Sequence, residues 1–200
     1  MSRLPSGVER PWRPTKQQLE QARGKTVPDV IDTGLNVLFA GINPGLYTAA
    51  VGHHFARPGN RFWPALHASG FTGRTLSPFE EALLVERGLG ITNLVARATA
   101  AAAELTRDEL RAGARALERK VRRYRPKVLA PLGLTVYRTG WDHPKATVGL
   151  QKESIADTRI WLLPNTSGLN AHYQLENLAA MFAELREFVA LEAAIERIPG

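Results

Sequence analysis

Two kinds of hydrophobic pattern alternate along this chain. The first is a short, continuous apolar run closed by glycine or proline: Asn-Val-Leu-Phe-Ala-Gly at residues 36–41, Gly-Ile-Thr-Asn-Leu-Val at 90–95, Lys-Val-Leu-Ala-Pro-Leu at 127–132, and residues 160–163. Runs of this length, rich in strand formers and bounded by turn residues, predict buried β-strands. The second pattern is helical. Leu110, Ala114, Leu117, Val121 and Tyr124 recur at intervals of 4, 3, 4 and 3, and residues 174–196 form a longer amphipathic stretch. Shorter helices are expected from Asn60 or Arg61 through Phe62, Leu66 and Ser69, closed by Gly70, and from Gly133 to Tyr137. Apolar strands separated by helices imply parallel crossovers. The expected fold is therefore an α/β three-layer sandwich, with a short, mostly parallel central sheet and helices on both faces. No internal repeat is present. Residues 1–26, with Pro5, Pro11 and Pro14 and little apolar periodicity, read as a loosely packed arm, and residues 27–200 as one domain.

Composition narrows the chemistry. A chain of 200 residues with 44% hydrophobic and 22% charged residues can bury roughly 70% of its unfolded surface. There is no cysteine, which excludes disulfides, thiolate nucleophiles, iron–sulfur clusters and Cys-ligated zinc. No apolar run approaches the about 18 residues of a membrane span, and the first residues lack the apolar core of a signal peptide. The expectation is an intracellular protein with no membrane contact. Lys and Arg number 26 against 19 Asp and Glu, a net charge of +7 that suggests a polyanionic partner. Most of that excess is local: residues 107–127 hold nine basic and three acidic side chains, with Arg107, Arg111, Arg115 and Arg119 along one side of the predicted helix. We read this stripe as the solvated outer face of a packed helix, with DNA contact as the alternative.

In open α/β sheets, ligands bind beyond the carboxyl ends of the strands. Three polar loops are expected at that edge: residues 41–60, the Thr92 and Asn93 turn, and residues 165–172. The first opens with Gly41, Ile42, Asn43, Pro44 and Gly45. It is not a phosphate-binding P-loop, because Leu46 and Tyr47 stand where Lys and Ser or Thr are needed. It also fails as a dinucleotide fingerprint, lacking the third glycine and, on this reading, a helix opening directly on it.

Taken in order, three segments carry a family likeness: Gly41 to Gly45 as above, then Gly52, His53, His54 and Phe55, then Pro58, Gly59, Asn60, Arg61, Phe62 and Trp63. With residues 90–95, 149–151 and 165–169, they resemble the mismatch-specific uracil and thymine DNA glycosylases, a branch of the uracil-DNA glycosylase superfamily, over about residues 28–190. The resemblance implies a monofunctional glycosylase that excises uracil, with thymine or modified pyrimidines as further substrates, opposite guanine in duplex DNA. Such an enzyme must take the base out of the stack. Asn43 is then the catalytic residue, holding the attacking water, with Gly41, Ile42, Gly45, His54, Phe55 and Asn93 as the base pocket. Backbone N–H groups around Ile42 would stabilise the departing uracil anion. Phe55 would stack on the base, and Gly45 would leave its C5 edge open. No cofactor and no metal are implied, no lysine in the motifs is available for a lyase step, and a monomer is expected.

The second motif departs from the family pattern. Thr166 replaces a proline, and Ala171 stands where an arginine is usual. Gly168 and Leu169 still match the wedge, so Leu169 is the expected intercalating residue, with Asn165, Ser167 and His172 as DNA-phosphate or loop contacts. Asn170 or His172 could stand in for the arginine. The altered motif keeps a second reading open: a catalytically weak mismatch- or damage-binding protein on the same fold.

Overall fold

The computed structural model describes residues 11–195. Five strands form one sheet: β1 (Val37–Gly41), β2 (Leu89–Asn93), β3 (Val128–Pro131), β4 (Gly149–Ile155) and β5 (Thr158–Leu162), in the order β2-β1-β3-β5-β4. The first three and β5 run parallel, and β4 joins β5 antiparallel at the edge. The α/β sandwich expected from the patterning is the observed fold. Register levels the carboxyl ends, with Gly41 opposite Asn93 and Ala40 opposite Pro131. That alignment lets the loops leaving β1 and β2 run on side by side: the Leu94 and Val95 amides donate to the carbonyls of Gly41 and Ile42 at 2.8 and 2.9 Å.

Successive side chains of a strand point to opposite faces, so each strand feeds two cores. Val37 and Phe39 of β1 face a layer made by α3 (Phe62–Ala68) and α6 (Leu175–Ile195), where Leu178, Phe182 and Leu185 are fully buried. Leu38 and Ala40 face α4 (Arg107–Tyr124) and α5 (Leu134–Gly140). The predicted stripe on α4 is the buried one at Leu110, Ala114, Leu117 and Val121. The helix starts at a reciprocal cap: Glu109 N–H donates to Thr106 Oγ1, and the Thr106 N–H donates to the Glu109 carboxylate.

Three features differ from the sequence reading. A helix, α2 (Leu46–Val51), does open directly on the first loop, with Gly45 at its N-cap and no side-chain cap to announce it. The segment Pro78–Arg87 forms a 3₁₀ stretch capped by Ser77. Part of the expected arm is packed: α1 (Lys16–Gln21) leads to Ala22 and Val27, which are buried against Ala49 and Ala98. Residues 1–10 of that arm lie outside the described residues.

Candidate active site

The loops at the carboxyl edge enclose a cleft of about 350 Å³. Gly41, Ile42, Asn43, Gly45, His54, Phe55, Asn93, Asn165, Ser167 and Leu169 all line it, so residues from both ends of the chain meet there. Gly168 and His172, expected at the same site, are not part of its lining. Gly168 instead packs on backbone, since a Cβ there would sit 2.5 Å from the Gly59 carbonyl oxygen. His172 is exposed, with its N–H donated to Asn170 Oδ1 at 3.2 Å.

The Asn43 amide is oriented by its partners. Its Nδ2 donates to the Arg97 carbonyl at 3.0 Å and to Thr99 Oγ1 at 2.8 Å. The single hydroxyl proton of Thr99 goes to the Ala101 carbonyl at 2.8 Å, so Thr99 must accept from Asn43. These partners can take only the NH₂ end, which turns Asn43 Oδ1 the other way, with no protein donor among the described residues. Thr99 is 1% exposed. Nothing in the sequence marks it, because its place depends on the two loops running on in parallel beyond β1 and β2.

A second amide is set by a histidine. The buried His54 gives Nε2–H to the Pro28 carbonyl at 2.9 Å, and burial pushes its pKa below the ordinary value, favouring the neutral ring. Its Nδ1 is then an acceptor, 3.4 Å from Asn93 Nδ2. Asn93 Oδ1 consequently turns toward Gly41, where an added Cβ would sit only 2.7 Å from it. The cleft therefore offers an acceptor at this point. Glu81 accepts from the His54 N–H at 2.7 Å and lies 2.8 Å from His53 Nδ1, holding the turn that carries Phe55.

Phe55 sits at φ +54°, a left-handed conformation that costs a bulky residue energy and marks a site held by its surroundings. One support is aromatic. Phe55 stacks on Phe62 with centroids 4.2 Å apart; Phe62 meets Phe39 edge-on at 5.3 Å, and Phe39 stacks on Phe182 at 5.6 Å. The core thus extends as a series of rings to the cleft wall.

Leu169 is 75% exposed at the mouth, on a loop tied down from below. Arg61 donates to the carbonyls of Ser167, Asn170 and Tyr173 at 3.3, 2.9 and 3.0 Å, and Asn165 Oδ1 accepts from the Ser167 N–H at 2.9 Å. Among the basic groups near the cleft, Arg61 is thus committed to carbonyls and Arg97 to Glu109, at 2.5 and 3.0 Å. That pairing, with the Thr106 N–H, lowers the Glu109 carboxyl to about 2. Arg57 lines the cleft and is exposed. Among the described residues, no group of three His, Cys, Asp or Glu is placed to hold a metal, and no helix is long and apolar enough to cross a membrane.

A family model described as the uracil DNA glycosylase superfamily matches residues 28–189. Among solved structures, the chain is similar to the solution NMR structure of a candidate uracil DNA glycosylase from Methanosarcina acetivorans. The TM-score is 0.53 and identity 14%, covering 82% of this chain and 98% of the other. At that identity the likeness speaks for the fold.

Proposed function

The chain belongs to the uracil-DNA glycosylase superfamily, and on that premise we propose that it is a monofunctional, mismatch-specific glycosylase that removes uracil opposite guanine from duplex DNA. The observation that carries this reading is the fixed amide of Asn43, whose Oδ1 is the acceptor left for a water at the sugar. An amide oxygen can orient water but is too weak a base to deprotonate it early. That suits a dissociative path: the bond from C1′ to the base breaks first, its electron pair leaves with the uracil, and water then adds to the oxocarbenium-like sugar. The base would lie against Phe55, with its N3–H toward Asn93 Oδ1 and its departing charge met by backbone N–H groups near Ile42. Gly45 suits a broad substrate range, since a Cβ built there meets nothing within 4 Å. Leu169 would fill the gap left by the flipped nucleotide, offsetting part of the unstacking cost.

The test is Asn43→Ala under single-turnover conditions. Loss of a positioned water should lower excision by about 100-fold or more while duplex binding is retained. Excision within a few-fold of the parent would remove Asn43 from the reaction.

A further inference from the structure

The basic run at residues 107–127 is not absorbed by the cleft. Helix α4 runs antiparallel to the strands, so its amino end lies beside the cleft loops, where Glu109 holds Arg97, and its carboxyl end lies at the opposite edge of the sheet. There the chain forms two adjoining grooves of about 850 and 500 Å³ that share Lys127 and Val189. Arg122, Arg125 and Arg159 line the larger, and Arg87 and Arg186 the smaller. Two acidic residues, Asp157 and Glu192, lie in the larger groove.

Cations at the end of α4 complement the helix dipole, which accounts for Arg122 and Arg125 as caps. Arg87 likewise ends the 3₁₀ stretch, donating to the Leu83 carbonyl at 2.6 Å, and Arg159 lies over the Phe188 ring, but the end of α4 does not account for Arg159 and Arg186, which come from β5 and α6. Arg125, Arg159 and Arg186 form no ion pair among the described residues, so neutralising Asp157 and Glu192 is not their use. The large apolar residues of the larger groove, Val121, Val128, Ile155 and Val189, are buried, and only the small Ala156 is exposed there. An acidic protein partner would ordinarily set a large apolar anchor into such a groove; the larger groove offers no large apolar side chain, and the smaller offers only the half-buried Phe71 beside Ala190 and Ala193. A line of cations without an apolar pocket fits a regularly charged polymer.

We propose that this edge is a second, non-catalytic DNA-binding surface that holds the phosphate backbone of another duplex segment while the cleft engages the first. Strands of four or five residues, at about 3.3 Å each, separate the two edges. Contact at both lets the protein pass directly between DNA segments. The reading extends the proposed function but needs no excision to be tested.

The experiment follows the full chain leaving a labelled, undamaged 12-base-pair duplex as unlabelled duplex is added. Direct transfer makes the apparent dissociation rate rise with competitor concentration. The triple variant Arg122→Gln, Arg125→Asn and Arg159→Gln should lose that dependence and show a salt slope shallower by about three. Asparagine suits the left-handed conformation of Arg125, at φ +48°. A second variant, Arg87→Gln with Arg186→Gln, should shift both readouts the same way, and both should excise uracil from a short duplex at the parental rate. A parental dissociation rate indifferent to competitor, or an unchanged slope in both variants, overturns the proposal. So does groove-dependent binding of an oligoglutamate peptide without binding of duplex. Absent excision with transfer intact would instead count against the catalytic reading alone.

Discussion

At the residue scale, two buried side chains decide what the cleft presents. Thr99 fixes the Asn43 amide, and substitution by valine keeps the shape but removes both its accepting and donating bonds. An unpaired buried polar group costs about 1–3 kcal/mol. Thr99→Val should therefore lower kcat by about tenfold or more with KM little changed, measured by single-turnover and steady-state excision; an unchanged kcat would leave Asn43 oriented by the Arg97 and Pro44 carbonyls. His54 makes a pH prediction. Its pKa is lowered in the fold, so the unfolded chain takes up a proton first as pH falls. Its contribution to stability is complete above about pH 6.5 and is lost as pH drops from there toward the folded value. Urea unfolding should show a stability loss between pH 7.5 and 5.5 that is smaller in His54→Gln. Equal losses would mean that the ring is not held neutral.

At the scale of elements, the legible parts were those whose pattern is local. The strands β1, β2, β3 and β5 are continuous apolar runs, and α4 carries its stripe in plain spacing. By contrast, β4 reads Gly-Leu-Gln-Lys-Glu-Ser-Ile and buries only Gln151 and Ile155, so an edge strand with a mostly wet surface left no run to find. Helix α2 is six residues long and begins at an uncapped glycine. Ala22 and Val27 are single apolar positions that only the folded loops make into a contact. The site was legible where motifs name residues, as at Asn43, Phe55 and Leu169. It was not legible where one loop supports another, as with Thr99, or Arg61 beneath residues 167–173. That support allows a clean test of the wedge. Leu169 is exposed and packs on nothing the fold needs, so Leu169→Ala should leave stability within about 0.5 kcal/mol. Excision from duplex DNA should fall several-fold while excision from single strands is spared, and equal losses on both would remove the wedge role.

For the whole molecule, the net charge of +7 suggested a nucleic-acid partner, and the fold sets much of the basic excess along the exposed side of α4 and at the edge opposite the cleft. Near the cleft, Arg61, Arg97 and His54 are occupied within the protein, so the proposed function draws its specificity from the pocket and Leu169 more than from cations. With no cysteine in the chain, the chemistry we propose is water positioning by Asn43. The most direct measurement is release of abasic product from matched oligonucleotides carrying G·U, A·U, single-stranded U or G·T, each treated with alkali after incubation. Excision should be fastest on G·U in duplex form and lost in Asn43→Ala. Tight binding to the mismatch with no abasic product from any of the four would contradict it.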